Sequence, residues 1–366
     1  MAVGPEQTER DVLDTRINAA RRLAARADAR LTGAIADFFL AEEARLDEQT
    51  RLTLGRVLSG VVQGIELEIR RHAARMLTGR GAEARAEQLL TGHDDVVRRL
   101  SRAGLLRDRL LIDELLAQVR CDLIAARLAP SAATPEQASL LVRLAEVDDG
   151  VVAAAARALL SAETRRRAAA EQGGVVTGIL PAERHHQLVW WVAAAIREAQ
   201  VAAGGEDGGV DRAIVEAAQR NLAAHDEGQR PEAAAVRLAA AIDARPHEVG
   251  ELLIETLGDR RLLLFIAVLG RAVDLDFEGA RTIVLEPEGD RLWLALRAAG
   301  LDRAAIARIA LALADADPRR DIEAFADDLD AIVAVSAEAA RSALAPLTLH
   351  HDLRLAIAAL TREAMR

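Results

Sequence analysis

Two stretches of the chain repeat the same order of apolar and acidic positions. Residues 89–106 and residues 144–160 each lead from an apolar helix end into an acidic pair, then Val-Val, then a distant Leu-Leu. The acidic pairs are Asp94-Asp95 and Asp148-Asp149. A helix–turn–helix unit of this kind buries its apolar face only against neighbouring units. The pattern therefore predicts helical hairpin repeats that stack in an α-solenoid-like array.

The composition supports an all-α fold class. Apolar residues make up 51% of the chain but aromatic residues only 2%, so most of the core must be Ala, Leu, Val and Ile. Alanine and leucine favour helix, and no segment has the Gly/Pro-punctuated pattern of a β-sandwich or barrel. A glycine-rich break in the helical periodicity follows residue 170. We therefore expect two lobes, an N-terminal repeat lobe over 1–168 and an all-helical lobe over 182–366.

The net charge and the cysteine content restrict which kinds of partner and which cellular compartment we expect. The basic residues are all arginine, which we attribute to a GC-rich genome, since lysine and tyrosine are both absent. A net charge of −10 argues against nucleic-acid binding. Cys121 is the single cysteine, so no intramolecular disulfide is expected. No apolar run suits a signal peptide or a membrane span, and we expect a cytoplasmic protein without cofactors.

The adjacent tryptophans Trp190 and Trp191 are the first candidates for a partner-binding surface. Adjacent residues on a helix cannot both face the same apolar stripe. We expect one to pack inward and the other to lie at a lobe junction, a homodimer interface or a protein partner. A wide core helix buried on two sides is the alternative. The basic pair Arg70 and Arg71 is a further candidate for partner binding, with a solvated helix face as its alternative.

An enzymatic alternative rests on a His-Asp pattern. His72, the pair His93-Asp94 and Asp148 follow the order of ligands in HD-type metal-dependent phosphohydrolases, which are also all-helical. Imidazole and carboxylate groups of this kind bind a divalent metal that activates water. Aspartate at the start of a helix is also a common N-cap, which explains the acidic pairs without any metal. We therefore expect a non-enzymatic protein that binds no metal.

Three segments carry a family resemblance. Residues 46–77 include Ile65-Glu66, Ile69-Arg70-Arg71 and Leu77, and they resemble an uncharacterised bacterial family, the domain of unknown function 2336. Residues 180–198 and 286–332 are similar to the C-terminal half of that family. The resemblance implies HEAT-like helical hairpins and brings no catalytic residues. Together with the repeats, it leads us to expect a protein-binding scaffold or regulatory adaptor.

Overall fold

The computed structural model of the protein describes Leu40, residues 45–91, 95–130, 138–171 and 178–350, and the pairs 353–354, 356–357 and 360–361. These residues form α-helices, short 3₁₀ turns and loops, with no strand among them, so the all-α prediction is confirmed for this part of the chain. Residues Gln49–Arg366 belong to one compact unit. The first helices are α1 (Glu48–Gly79), α2 (Glu83–Thr91), α3 (Val96–Arg102), α4 (Arg109–Arg127), α5 (Leu140–Ala145), α6 (Gly150–Glu171), α7 (Ala182–Gly204) and α8 (Gly208–Ala224).

The remaining helices have 8 to 14 residues and follow one another closely. They are α9 (Pro231–Ile242), α10 (Val249–Gly258), α11 (Leu262–Ala272), α12 (Phe277–Leu285), α13 (Asp290–Ala298), α14 (Arg303–Ala316), α15 (Ile322–Ala334) and α16 (Ala337–Leu344). Proline is the first residue of α9, where its fixed φ suits a helix and its missing N–H costs nothing. Within the described part of the chain, no helix is both long and apolar enough to cross a membrane.

Aspartate side chains begin many of the helices by accepting hydrogen bonds from free backbone amides of the first turn. Asp95 accepts from the amide of Arg98 at 2.9 Å, and Asp149 accepts from the amide of Val151 at 2.8 Å. The second acid of each repeated pair is therefore the cap. The two copies differ beyond this start, since α3 has 7 residues and α6 has 22. The two repeated stretches therefore share an aspartate cap at the start of a helix, but this does not make them equivalent hairpins.

The core consists of two apolar clusters, which we name by order along the chain. The first cluster combines α1, α2, α3 and the start of α4 with α7 and α8. The second combines the end of α4, α5 and α6 with α9 to α16. Trp293 is buried in the second cluster. Helices on both sides of residues 168–182 share each cluster, and the division into lobes at that point stays a prediction.

Candidate functional site

Arg70 and Arg71 are neighbours on α1 but occupy different environments. Arg70 is buried, and its guanidinium donates to the carboxylate of Glu66 at 2.8 Å and to the carbonyl of Leu89 at 2.7 Å. It thereby holds the end of α2 against α1. Arg71 is exposed and lines a cleft. Only the second of the two predicted residues is therefore accessible to a partner.

Trp190 and Trp191 lie half-buried against the first apolar cluster. The indole nitrogen of Trp190 donates to the imidazole of His186 one turn earlier on α7, at 3.2 Å. Neither tryptophan is among the residues that line the cleft beside Arg71. The structure therefore does not bring the predicted tryptophan and arginine sites into one surface pocket.

The cleft has a volume of about 720 Å³ and lies between α1, α8 and the end of α2. Its volume falls within the range of ligand pockets in proteins, about 300–1,000 Å³. Two alanines of α8, Ala217 and Ala224, line the cleft and leave room for it, because their side chains end at Cβ. The lining residues are Glu68, Arg71, His72, Ala74, Arg75, Thr78, Leu90, Ala217, Arg220, Asn221 and Ala224.

The charged residues of the cleft are mainly cationic. Arg71 and Arg75 extend from α1 and Arg220 from α8, whereas Glu68 is the single acidic residue among the lining residues that the structure describes. Burial and the positive charges of Arg220 and Arg75 lower the pKa of His72, and Glu216 only partly opposes them. His72 is therefore neutral at pH 7, and the positive character of the cleft comes from its guanidinium groups.

A polar network adjoins the cleft through Glu68 and Asn221. The amide of Asn221 donates to the carboxylate of Glu68, and its oxygen lies 2.9 Å from Nε2 of His185. The ring of His185 stacks on that of His225, with centroids 4.1 Å apart. Burial, together with the neighbouring charge of His225, lowers the pKa of His185 to about 4. The network engages Glu68 and fixes Asn221 in the wall of the cleft.

The ligand set predicted for a phosphohydrolase is only partly described. His72 lines the cleft, whereas Asp148 is exposed in the turn before α6 and does not. His93 and Asp94 lie outside the described residues. The described residues contain no group of three or more His, Cys, Asp or Glu side chains that could hold a metal ion. Cys121 is buried, and desolvation raises the pKa of its thiol to about 12, so it is not a nucleophile at neutral pH.

Sequence reasoning missed Arg75, Arg220 and Asn221. Arg75 is four positions after Arg71 on the same helix, and that spacing alone indicates a shared face. Arg220 and Asn221 belong to a helix far along the chain, and no local pattern connects them to α1. Their contribution follows from the packing of α8 against the first apolar cluster.

Comparison with known proteins identifies one family. Residues 178–362 match the model of a family described as an uncharacterised protein conserved in bacteria, DUF2336. This segment contains α7 to α16 and includes the residues 180–198 and 286–332 that carry the C-terminal resemblance. Residues 46–77 lie before the match. No curated protein and no solved structure matches the chain.

Proposed function

The chain belongs to the DUF2336 family of proteins conserved in bacteria, and we propose that it is a non-enzymatic helical protein that binds another protein. In this proposal it works in the cytoplasm as a scaffold or regulatory adaptor. Its helices are arranged as HEAT-like hairpins in two lobes, and the cleft between α1 and α8 is the binding site. The cleft is the observation that carries the proposal.

Three properties of the cleft support a protein ligand. It is long, because its lining on α1 extends from Glu68 to Thr78, a helix length of about 15 Å. It is built on three helices, α1, α2 and α8, rather than on loops, so the apolar cluster that these helices share holds its shape. Its lining combines apolar and charged side chains, as do the grooves in which proteins hold peptide segments.

Trp190 and Trp191 provide a second contact region in this proposal. Half-buried aromatic side chains are enriched at protein interfaces, where the ring is covered and the polar end bonds to a neighbour. Self-association through the same pair is compatible with binding at the cleft. The proposal requires neither a metal nor a cofactor.

The proposal can be tested with a substitution that fills the cleft from an exposed position and leaves the core undisturbed. Ala224 is exposed and lines the cleft, whereas the adjacent Ala223 is exposed and does not. Peptides that bind the wild-type protein are first selected from a random displayed library. Ala224→Trp should weaken their binding at least tenfold, and Ala223→Trp should leave their Kd unchanged. Equal binding by both variants, or no enriched peptide, would contradict the proposal.

A further inference from the structure

Arginines close to the cleft fall into two groups according to their partners. Two nearby arginines that do not line it have their own carboxylates: Arg70 pairs with Glu66 at 2.8 Å, and Arg80 pairs with Glu216 at 3.1 Å. Within the described part of the chain, no carboxylate lies within 4.0 Å of Arg71, Arg75 or Arg220. The cleft therefore gathers three guanidinium groups whose charges the described part of the fold does not pair.

The positions of these arginines suit two or more anionic groups on one ligand. Arg71 and Arg75 are one helical turn apart, about 5–6 Å between their β-carbons. Arg220 extends from the opposite wall, so the three groups can approach a ligand from both sides. Guanidinium forms two parallel hydrogen bonds with a carboxylate, a geometry that neither a lysine nor a hydroxyl can reproduce.

Glu68 does not cancel this charge. Its carboxylate already accepts a hydrogen bond from the amide of Asn221, which His185 contacts in turn. It is also a single carboxylate facing three arginines. The lining thus keeps a positive excess in a protein whose net charge is −10.

The cleft also offers apolar surface between its charged groups. The residues that form this surface are Ala74, Leu90, Ala217 and Ala224. Leu90 is 52% exposed, so a ligand that covers it removes apolar area from water. The described lining contains no Phe, Tyr or Trp ring on which a nucleobase could stack, and its imidazole, His72, is already contacted by Arg75 at 3.4 Å, so the apolar surface fits aliphatic side chains better than bases.

We infer that the cleft binds an acidic peptide segment of a partner protein, with carboxylates on Arg71, Arg75 and Arg220 and aliphatic side chains against Leu90. The inference rests on the proposed function and specifies the chemistry of the partner. Nucleic acid is the less suitable anion, because a net charge of −10 repels a long polyanion more strongly than a short peptide with a few carboxylates, and the described lining has no Phe, Tyr or Trp ring for base stacking.

The experiment measures fluorescence polarisation of two labelled peptide pools on the full chain. One pool mixes Asp and Glu with Leu and Ala, and the other replaces the acids with Lys and Arg. The acidic pool should bind, and each of Arg71→Gln, Arg75→Gln and Arg220→Gln should weaken it about tenfold, the loss of a charge-assisted hydrogen bond. Arg212→Gln is the control, since Arg212 is an exposed residue of α8 outside the cleft.

Other outcomes separate this inference from the proposed function. If Ala224→Trp blocks the library peptides while the arginine variants bind them normally, the cleft binds proteins and the acidic inference is wrong. Preferential binding of the basic pool would overturn it in the same way. If inorganic phosphate or single-stranded DNA binds with arginine dependence and the acidic pool does not, the ligand is not a peptide, and the proposed function fails as well.

Discussion

The carboxylate of Glu114 and the guanidinium of Arg281 form a buried ion pair at 2.6 Å, although 167 positions separate them in the chain. The second oxygen of Glu114 accepts from Arg230 at 2.7 Å. All three side chains are less than 10% exposed. Glu114 lies on α4, before the segment that matches the family, and both arginines lie inside that segment. The pair therefore ties the preceding helices to the matched segment.

Removing the carboxylate of Glu114 should destabilise the protein strongly. Burial by itself would raise the pKa of Glu114, but the hydrogen bonds and charges of Arg281 and Arg230 outweigh it and lower the pKa. Glu114→Gln removes the carboxylate that both buried guanidinium groups share. Arg281 keeps Glu278, and Arg230 keeps Glu227 and Glu232, so we expect a loss of about 2–3 kcal/mol, below the roughly 3–5 kcal/mol of a buried pair left without an anion. Urea unfolding followed by circular dichroism measures this loss.

An exposed pair provides the control for that experiment. Arg80 and Glu216 are about 40% exposed and form a comparable ion pair at 3.1 Å. Water already solvates both groups, so Glu216→Gln should change the free energy of unfolding by less than about 1 kcal/mol. Equal effects of Glu114→Gln and Glu216→Gln would show that the buried pair contributes no more than a surface pair.

The free energy of unfolding should fall between pH 6.5 and pH 4 because of His185. Its pKa is about 4 in the folded protein and about 6.5 when unfolded. In this window the unfolded chain binds a proton that the folded chain does not, so acid favours unfolding. His185→Gln keeps an amide donor near Asn221 and removes the titration. It should flatten the dependence of the melting temperature on pH.

His247 is the control for this titration. It is largely exposed beside Glu248, so its replacement leaves the buried network unchanged. His247→Gln should show the wild-type dependence of melting temperature on pH. A wild-type dependence in His185→Gln as well would assign the acid sensitivity to other groups.

Cys121 should react with thiol reagents only after unfolding. The side chain is 2% exposed and the pKa of its thiol is about 12, so both access and the thiolate form are lacking. Ellman's reagent should label the native protein at the rate of unfolding and the urea-unfolded protein at once. Ala223→Cys places a thiol on the surface and should react rapidly in the native state. Rapid labelling of native Cys121 would contradict its burial.

Gly289 should tolerate a β-carbon less well than Gly300 does. Both residues have positive φ, 80° and 84°, where an L side chain costs about 1–2 kcal/mol. At Gly289 the added carbon would also lie 2.8 Å from the ring of Trp293, whereas at Gly300 it meets open space. Gly289→Ala should therefore cost about 1–3 kcal/mol more than Gly300→Ala in urea unfolding. Equal losses would mean that the indole moves aside freely.

Much of the local structure could be predicted from single residues and short spacings. Asp302 caps α14, where its carboxylate accepts from the amide of Ala305 at 2.8 Å. Asp95 and Asp149 begin the helices of the two repeated stretches for the same reason. A cap depends on a side chain and on amides two or three positions away, so the sequence contains all of its parts.

The site was less predictable because it depends on partners remote in sequence. Arg70 and Arg71 are identical side chains at adjacent positions, yet one is buried beneath Leu89 and the other faces the cleft. The difference arises from the side of α1 on which α2 packs. Arg220 carried no signal of its own, since nothing near it in the sequence indicates that α8 lies opposite Arg75.

The sequence by itself determined that the protein is helical, where many of its helices begin and which family it belongs to, because these properties depend on composition and on contacts within one turn. Only the tertiary structure decided that α7 and α8 share a core with α1, and that Arg71, Arg75 and Arg220 meet around one cleft. Apolar helix faces built from Ala, Leu, Val and Ile resemble one another, so their pairing follows from the packing of whole helices rather than from any short pattern.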